Sequence, residues 1–285
     1  MRSEFDHLLI TRFNVRVYVD RPASEDWLRH RLHYFNSICC ASVMSQTSRN
    51  FKWIVLFDAE RDSWFQSEVR NLSQKGLFEP VWVDGVFSQA MIASVAGEYS
   101  SAEWLITSRL DNDDAIAKDY IAEVQSQFEG QLMEFVNFQS GFQLTDSGRL
   151  LSRVDPSNPF IALIEKRSDH APKTVYGWPH NEVGRHANLR QVKSHPMWLQ
   201  MIHGRNLGNQ ATGIRADPRL LADYFEVDAK VTSISRTALL VDKARSTLSL
   251  SWRVLQKPSR ISTLGKVVWN RLRPSHSQRR TNGLS

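Results

Sequence analysis

Apolar and polar positions follow two alternating periods over the first 130 residues. Leu8, Ile10, Phe13, Val15, Val17 and Val19 recur at nearly every second position, which predicts a strand ending near Thr11 and a loop carrying Arg12 and Asn14. Trp27, Leu28, Leu32, Phe35, Ile38, Cys39 and Val43 then recur at helical spacing. Ser24 suits the N-cap of that helix, with Glu25 and Asp26 in its first turn. Residues 51–58 form a nearly continuous apolar run closed by Asp58, the pattern of a buried parallel strand. A helix is predicted over 62–76, closed by Gly76, then a strand over 81–84 and a helix over 88–99. Trp104, Leu105 and Ile106 open a fourth strand. A helical pattern through Ile116, Tyr120, Ile121, Val124 and Phe128 predicts a helix over 116–129.

This order is β-α-β-α-β-α-β-α, which implies a doubly wound α/β sheet. The second half is less regular. Residues 134–139 and 141–144 predict a hairpin or two adjoining strands, 159–165 a buried strand ending at Glu165, and 197–203 a short strand ending at His203. The polar stretch 169–195, with four histidines, is predicted to be a long loop.

The fourth strand closes in Asp111, Asn112, Asp113 and Asp114. Ligands of open α/β sheets bind beyond the carboxyl ends of the strands. Carboxylates crowded there repel unless a cation lies between them, and Mg²⁺ or Mn²⁺ suits oxygen ligands shared with substrate phosphates. Turn formation, with Asp114 capping the next helix, is the competing explanation. The turn is not an EF-hand, because the sixth position is Ile116 and the twelfth Ala122. The sequence contains neither GxGxxG nor GxxxxGK[ST].

Composition narrows the classes. The 285 residues are 41% hydrophobic and 23% charged, as expected for a globular chain. No apolar run reaches the ~18 residues of a membrane span, and no apolar signal region opens the chain, so a cytoplasmic location is expected. Cys39 and Cys40 lie side by side in a helical pattern and suit buried packing rather than a disulfide or zinc. The net charge of +6 is uneven: residues 229–285 carry +11, leaving the rest at −5. From about 236, leucine, valine and tryptophan alternate with lysine and arginine, again over 264–272. This divides the chain into a main domain (1–235) and a basic amphipathic helical tail (236–285) suited to an anionic membrane surface, with 274–285 expected to be disordered. The pI of about 9.4 raises nucleic-acid binding, but the domain itself is acidic and carries no recognition motif. A phosphohydrolase with Asp111 as nucleophile and Asp113 as acid/base is a further alternative. Such enzymes usually carry that pair on the first strand, with a lysine and an acidic pair downstream.

Four segments carry a family resemblance: Thr11-Arg12-Phe13-Asn14, Ser108-Arg109-Leu110-Asp111-Asn112-Asp113-Asp114-Ala115, Asn158-Pro159-Phe160 through Glu165, and Trp198-Leu199-Gln200 to His203-Gly204-x-Asn206. Over roughly 7–210 the chain resembles the bacterial putative rhamnosyltransferase family, grouped with GT-A-like glycosyltransferases. The resemblance implies a GT-A-like mixed sheet flanked by helices. It implies metal-dependent transfer of a sugar, with rhamnose as one candidate, from a nucleotide-sugar donor to a polysaccharide or lipid-linked saccharide acceptor, and the basic tail would hold the protein at the inner membrane face. It implies Mn or Mg held by Asp111, Asp113 and His203, and nucleotide contacts from Arg12, Asn14, Asp58, Arg109 and Asp111. The catalytic base has no clean motif match, and Glu165, His180 and Glu182 are the candidates.

Overall fold

The computed structural model describes residues 4–17, 21–74, 76–204 and 211–255, with the side chains of 250–255 left aside. Two mixed sheets organise it. The first contains β1 (Phe5–Arg12), β2 (Lys52–Asp58), β3 (Glu79–Val83), β4 (Trp104–Arg109), β6 (Met133–Phe138), β9 (Ile161–Lys166) and β10 (Asn188–Val192). Its order is β10-β6-β9-β4-β1-β2-β3. The second contains β5 (Ala115–Ile116), β7 (Ser140–Thr145), β8 (Leu150–Val154), β11 (Trp198–Ile202) and β12 (Ile214–Arg215), in the order β12-β8-β7-β11-β5.

Strands β4, β1, β2 and β3 are parallel, while β9 runs antiparallel to both β4 and β6. The chain leaves β1 toward β2 on one side, and β4 returns on the other. That reversal opens a crevice at the carboxyl ends of β1 and β4, where ligands of such sheets bind. Buried aliphatic and aromatic residues cover both faces of this sheet.

Helices α1 (Glu25–Tyr34), α3 (Ser63–Ser73) and α4 (Gln89–Tyr99) follow the predicted periods. Ser24 accepts the Trp27 N–H and Ser88 the Met91 N–H, as N-caps do. Gly76 adopts φ +68°, which glycine tolerates without strain. Beyond α1 the helix widens into a π-helical stretch, Phe35–Cys40, and resumes as α2 (Ala41–Met44). Gln46, just past it, clasps the chain beyond the acidic turn. Its Nε2 donates to the Ala117 carbonyl, and its Oε1 accepts the Ile121 N–H.

Two expectations change and one open alternative is resolved. The helix predicted over 116–129 is shorter, α5 (Tyr120–Ser126), because Ala115 and Ile116 pair with Leu199 and Trp198 as strand β5. Of the two alternatives for 134–144, successive strands form rather than a hairpin: β6 joins the first sheet and β7 the second, with Gly141 against the indole of Trp198. The stretch 169–195 is not all loop, since β10 pairs in parallel with β6. Strands β8 and β12 and helix α6 (Leu220–Tyr224) were not foreseen. The basic tail begins as α7 (Arg236–Leu255), while the segment expected at 264–272, the end at 274–285 and Asn206 lie outside the described residues. No helix among the described residues is long and apolar enough to cross a membrane.

Two predictions follow from this packing. A Cβ at Gly141 would overlap the Trp198 ring, itself stacked on Phe160 at 5.3 Å, so Gly141→Ala is expected to cost about 1–3 kcal/mol or more in urea unfolding. His7 is buried between Gln125, which donates to Nδ1 at 3.3 Å, and Ser108, which accepts from Nε2 at 2.8 Å. Burial pushes its pKa down to about 3. The unfolded chain takes up that proton near pH 6.5, while the native state resists it until about 3. This contribution is therefore complete above about 6.5 and lost progressively as pH falls toward 3, as much as about 5 kcal/mol. His7→Gln should flatten the pH dependence of the unfolding midpoint over that window.

Candidate active site

Strand β4 ends at Arg109, and the acidic turn leaves its carboxyl end. Its carboxylates are separated by what meets each one. Asp111 is held by Arg109: Nε donates to Oδ1 at 3.1 Å and Nη2 to Oδ2 at 2.9 Å. Burial pushes the Asp111 carboxyl up, but Arg109, Arg12 and Arg31 together hold it below its ordinary value. Asp113 is buried, ion-paired with Arg31 from α1 and in hydrogen-bond contact with His203, whose Nε2 lies 3.0 Å from Oδ2. The His203 ring stacks on Tyr34 at 4.7 Å, and the Tyr34 hydroxyl donates to Asp146. Burial, that hydrogen bond and the nearby Asp113 push the Tyr34 pKa up to about 12. Asp114 accepts the Met201 N–H at 2.8 Å and so pins the turn to β11. Burial, with Asp113 and Asp111 beside it, drives the Asp114 pKa well above the usual carboxylate range. The helix-cap explanation for Asp114 fails, because α5 starts after Asp119 and Asp114 serves β11 instead. Asn112 completes the turn, donating to the Phe13 carbonyl and accepting from Arg31.

A cavity of about 370 Å³ opens beside this turn. Arg109 and Asp111 form one wall, Arg153 and Asp155 another, and His180, Asn158, Trp198, Gln200 and Thr212 complete it. Arg153 donates to Asp155 at 2.5 Å, so two Arg-x-Asp pairs face one space. The His180 pKa is lowered, by burial first and then by Arg109, which favours the neutral imidazole near pH 7.

The expected residues are distributed as follows. Arg109, Asp111 and His180 line the cavity. Arg12 lies behind it, its guanidinium 4.8 Å from the centre of the Tyr176 ring, with Arg109 5.6 Å from the same ring. Asp58 ends β2 as expected, but Arg16 holds both its oxygens, and the Asn14 side chain accepts the Asp58 N–H. Neither Asp58 nor Asn14 is in the cavity wall. Glu165 pairs in register with Leu105, four strand positions before Arg109, about 13 Å at the rise of a strand. Its carboxylate accepts the N–H groups of Lys173 and Thr174, and burial raises its pKa. It anchors the loop leading to His180 and does not face the cavity. Glu182 is half-buried in a turn, its N–H donating to the Pro179 carbonyl, and it is not in the cavity wall.

The expected three-residue metal set does not assemble. Asp113 and His203 are turned onto each other and onto Arg31, and among the described residues no group of three or more His, Cys, Asp or Glu is arranged to hold a metal ion. Asp111 remains, its side chain 32% exposed toward the cavity. One carboxylate sharing a cation with substrate phosphates is a usual Mg²⁺ arrangement, so Asp111 alone fits. Sequence reasoning missed Arg153, Asp155 and Gln200. The repeated Arg-x-Asp spacing at 109–111 and 153–155 was the available signal.

The Arg31–Asp113 pair is testable by a double-mutant cycle. Arg31→Met should cost about 3–5 kcal/mol in chemical unfolding, because it leaves Asp113 buried beside two other acids. Adding Asp113→Asn should recover part of that loss, giving a coupling of at least about 1 kcal/mol. Additive losses would show that the pair carries no coupling.

The comparisons with known proteins agree with the resemblance read from the sequence. The model of the family described as "putative rhamnosyl transferase" matches residues 19–215, more than two thirds of the chain, and the chain belongs to that family. No curated protein matches. Among solved structures, TarS 1–349 of S. aureus in complex with UDP is similar at 10% identity and a TM-score of 0.41, covering 69% of this chain and 60% of that one. The chain thus spans less than two thirds of that fragment. A "putative nucleotide-diphospho-sugar transferase" from Desulfovibrio desulfuricans is similar at 10% identity and a TM-score of 0.36, covering 69% of this chain and 82% of that one. The inositol-1-phosphate CTP transferase of T. maritima matches at 10% identity and a TM-score of 0.34, covering 73% and 94%.

Proposed function

We propose that this member of the rhamnosyl transferase family is a GT-A-type glycosyltransferase that moves a sugar, rhamnose by the family's description, from a nucleotide-sugar donor to a saccharide or lipid-linked saccharide acceptor. The observation that carries the reading is the cavity at the carboxyl end of β4, where two ion-paired Arg-x-Asp motifs face a half-buried imidazole.

The donor's diphosphate lies against Arg109 and Arg153, whose guanidinium forks match phosphate oxygens. An acceptor hydroxyl donates a hydrogen bond to His180. As the acceptor oxygen bonds to the anomeric carbon, the bond from that carbon to the phosphate oxygen breaks. The electron pair leaves with the nucleoside diphosphate toward the two arginines, and the hydroxyl proton passes to His180. Burial and Arg109 hold His180 neutral, which readies it to accept that proton. Mn²⁺ or Mg²⁺, when bound, would share Asp111 with the phosphate oxygens and supply further positive charge opposite the leaving group. The basic helix α7 suits an anionic membrane surface, close to a lipid-linked acceptor.

The test is a thermal-shift panel of UDP, GDP, dTDP and CDP, with Mn²⁺ and with EDTA, on wild type, Arg109→Gln, Asp111→Asn and His180→Gln. One nucleotide at about 100 times its Kd should stabilise the wild type by about 2.7 kcal/mol, roughly 5–10 °C in Tm. Arg109→Gln should lose most of that shift, and Asp111→Asn only the increment that Mn²⁺ adds. His180→Gln should keep the shift and lose about 10²–10⁴-fold in transfer rate. Absence of any nucleotide response in the wild type would refute the transferase reading.

A further inference from the structure

Outside the candidate active site, a second cavity of about 320 Å³ lies between the β7–β8 hairpin, β12 and α7. Its wall carries Arg149 from the hairpin and Arg245 from α7, with the hydroxyls of Thr145, Thr212, Ser246 and Ser249, and no acid. Most arginines near the active cavity are met by a carboxylate, as in the pairs 16–58, 31–113, 109–111 and 153–155. Arg149 and Arg245 have no ion-pair partner among the described residues. The nearest hairpin acid, Asp146, accepts from Tyr34 instead. Beneath them Arg215 is buried, its Nε without a hydrogen-bond partner. Its pKa is lowered by burial and by the charge of Arg149, while Asp242 on α7 acts in the opposite direction.

The two cationic elements are fixed to each other. Thr232, just before α7, donates its N–H to the Gly148 carbonyl and its hydroxyl to the Ser147 carbonyl. Gly148, at φ +77°, passes so close to Thr232 that a Cβ would meet its hydroxyl at 2.6 Å. Thr212 stands in the walls of both cavities, its N–H donating to Gln143 at 2.9 Å. Gly213 brings this shared wall against β8, where a Cβ would lie 2.6 Å from the Ser152 carbonyl oxygen.

We infer that the cavity between the hairpin and α7 is a phosphate-binding site that holds the phosphate or diphosphate of the acceptor while its saccharide reaches past Thr212 into the active cavity. Two forked cations with four hydroxyl donors and no acid suit a dianionic phosphate, since arginine pairs phosphate oxygens through parallel N–H groups. The position of the site, one wall away from the cavity assigned to the donor, places it on the acceptor's side. The assignment to the acceptor rests on the transferase reading; the phosphate site itself does not.

Isothermal titration of the full chain with inorganic pyrophosphate at near-physiological salt tests the site. Wild type should bind at two sites. Arg149→Gln/Arg245→Gln should lose one of them, its Kd rising by about tenfold or more, with an unchanged Tm because both side chains are exposed. Arg109→Gln should keep that site and lose the other. The double variant should retain the wild-type thermal response to the donor nucleotide. Flotation with phosphatidylglycerol vesicles separates the sources: loss of vesicle binding in the double variant assigns the phosphate to a lipid headgroup, and retained binding assigns it to a soluble acceptor. Isotherms that coincide for wild type and the double variant, or a wild-type isotherm abolished by Arg109→Gln alone, would overturn the site. Neither result touches the donor cavity, which the nucleotide response reports separately.

Discussion

Three carboxylates crowd into four residues at the end of β4, two of them buried and one half-buried, and the surrounding structure is arranged to make that crowding tolerable. An isolated buried carboxylate costs several kcal/mol, and neighbouring ones repel further. Each acid therefore has its own partner: Arg109 for Asp111, Arg31 and His203 for Asp113, and the Met201 N–H for Asp114. Those partners come from β4 itself, α1, the end of β11 and its backbone. Meeting the charges thus fixes α1 and the second sheet against the carboxyl edge of the first. The acidic turn is the joint between the two sheets, and Asp114 with β5 is where β11 is pinned to it.

The division of labour within the turn follows from the same constraint. Asp113 is enclosed by a cation and an imidazole and serves the architecture. Asp111, two residues earlier, shares its cation with the cavity and stays partly open to it. Arg109 then has two roles, holding Asp111 ionised and placing positive charge where a diphosphate would lie. The same guanidinium helps to keep His180 neutral, so in the proposed reaction one side chain would act on both the leaving group and the proton acceptor.

Much of the first half was legible in the sequence. The parallel strands at 51–58 and 104–109 are apolar runs bounded by polar residues, and local periodicity suffices when both faces are buried. Ser24 and Ser88 mark helix starts because capping is local chemistry. The second half was less legible because its strands take their identity from distant partners. Ile116 looks helical by spacing, yet it pairs with Trp198. β6 and β7 are separated by a single residue and lie in different sheets.

The sequence by itself determined that an acidic turn closes the fourth strand, that this strand belongs to an α/β sheet, and which family the chain resembles. It also placed Arg109, Asp111 and His180 among the candidates. Only the tertiary structure decided which acids face the cavity, because that depends on where Arg31 and His203 lie, 82 and 90 positions from Asp113. It likewise took Glu165 out of the cavity by the antiparallel register of β9 and brought in Arg153 and Asp155 through the second sheet. The reason is physical: a carboxylate's role is set by the charges and solvent around it, and those are supplied by contacts that no local stretch of sequence contains.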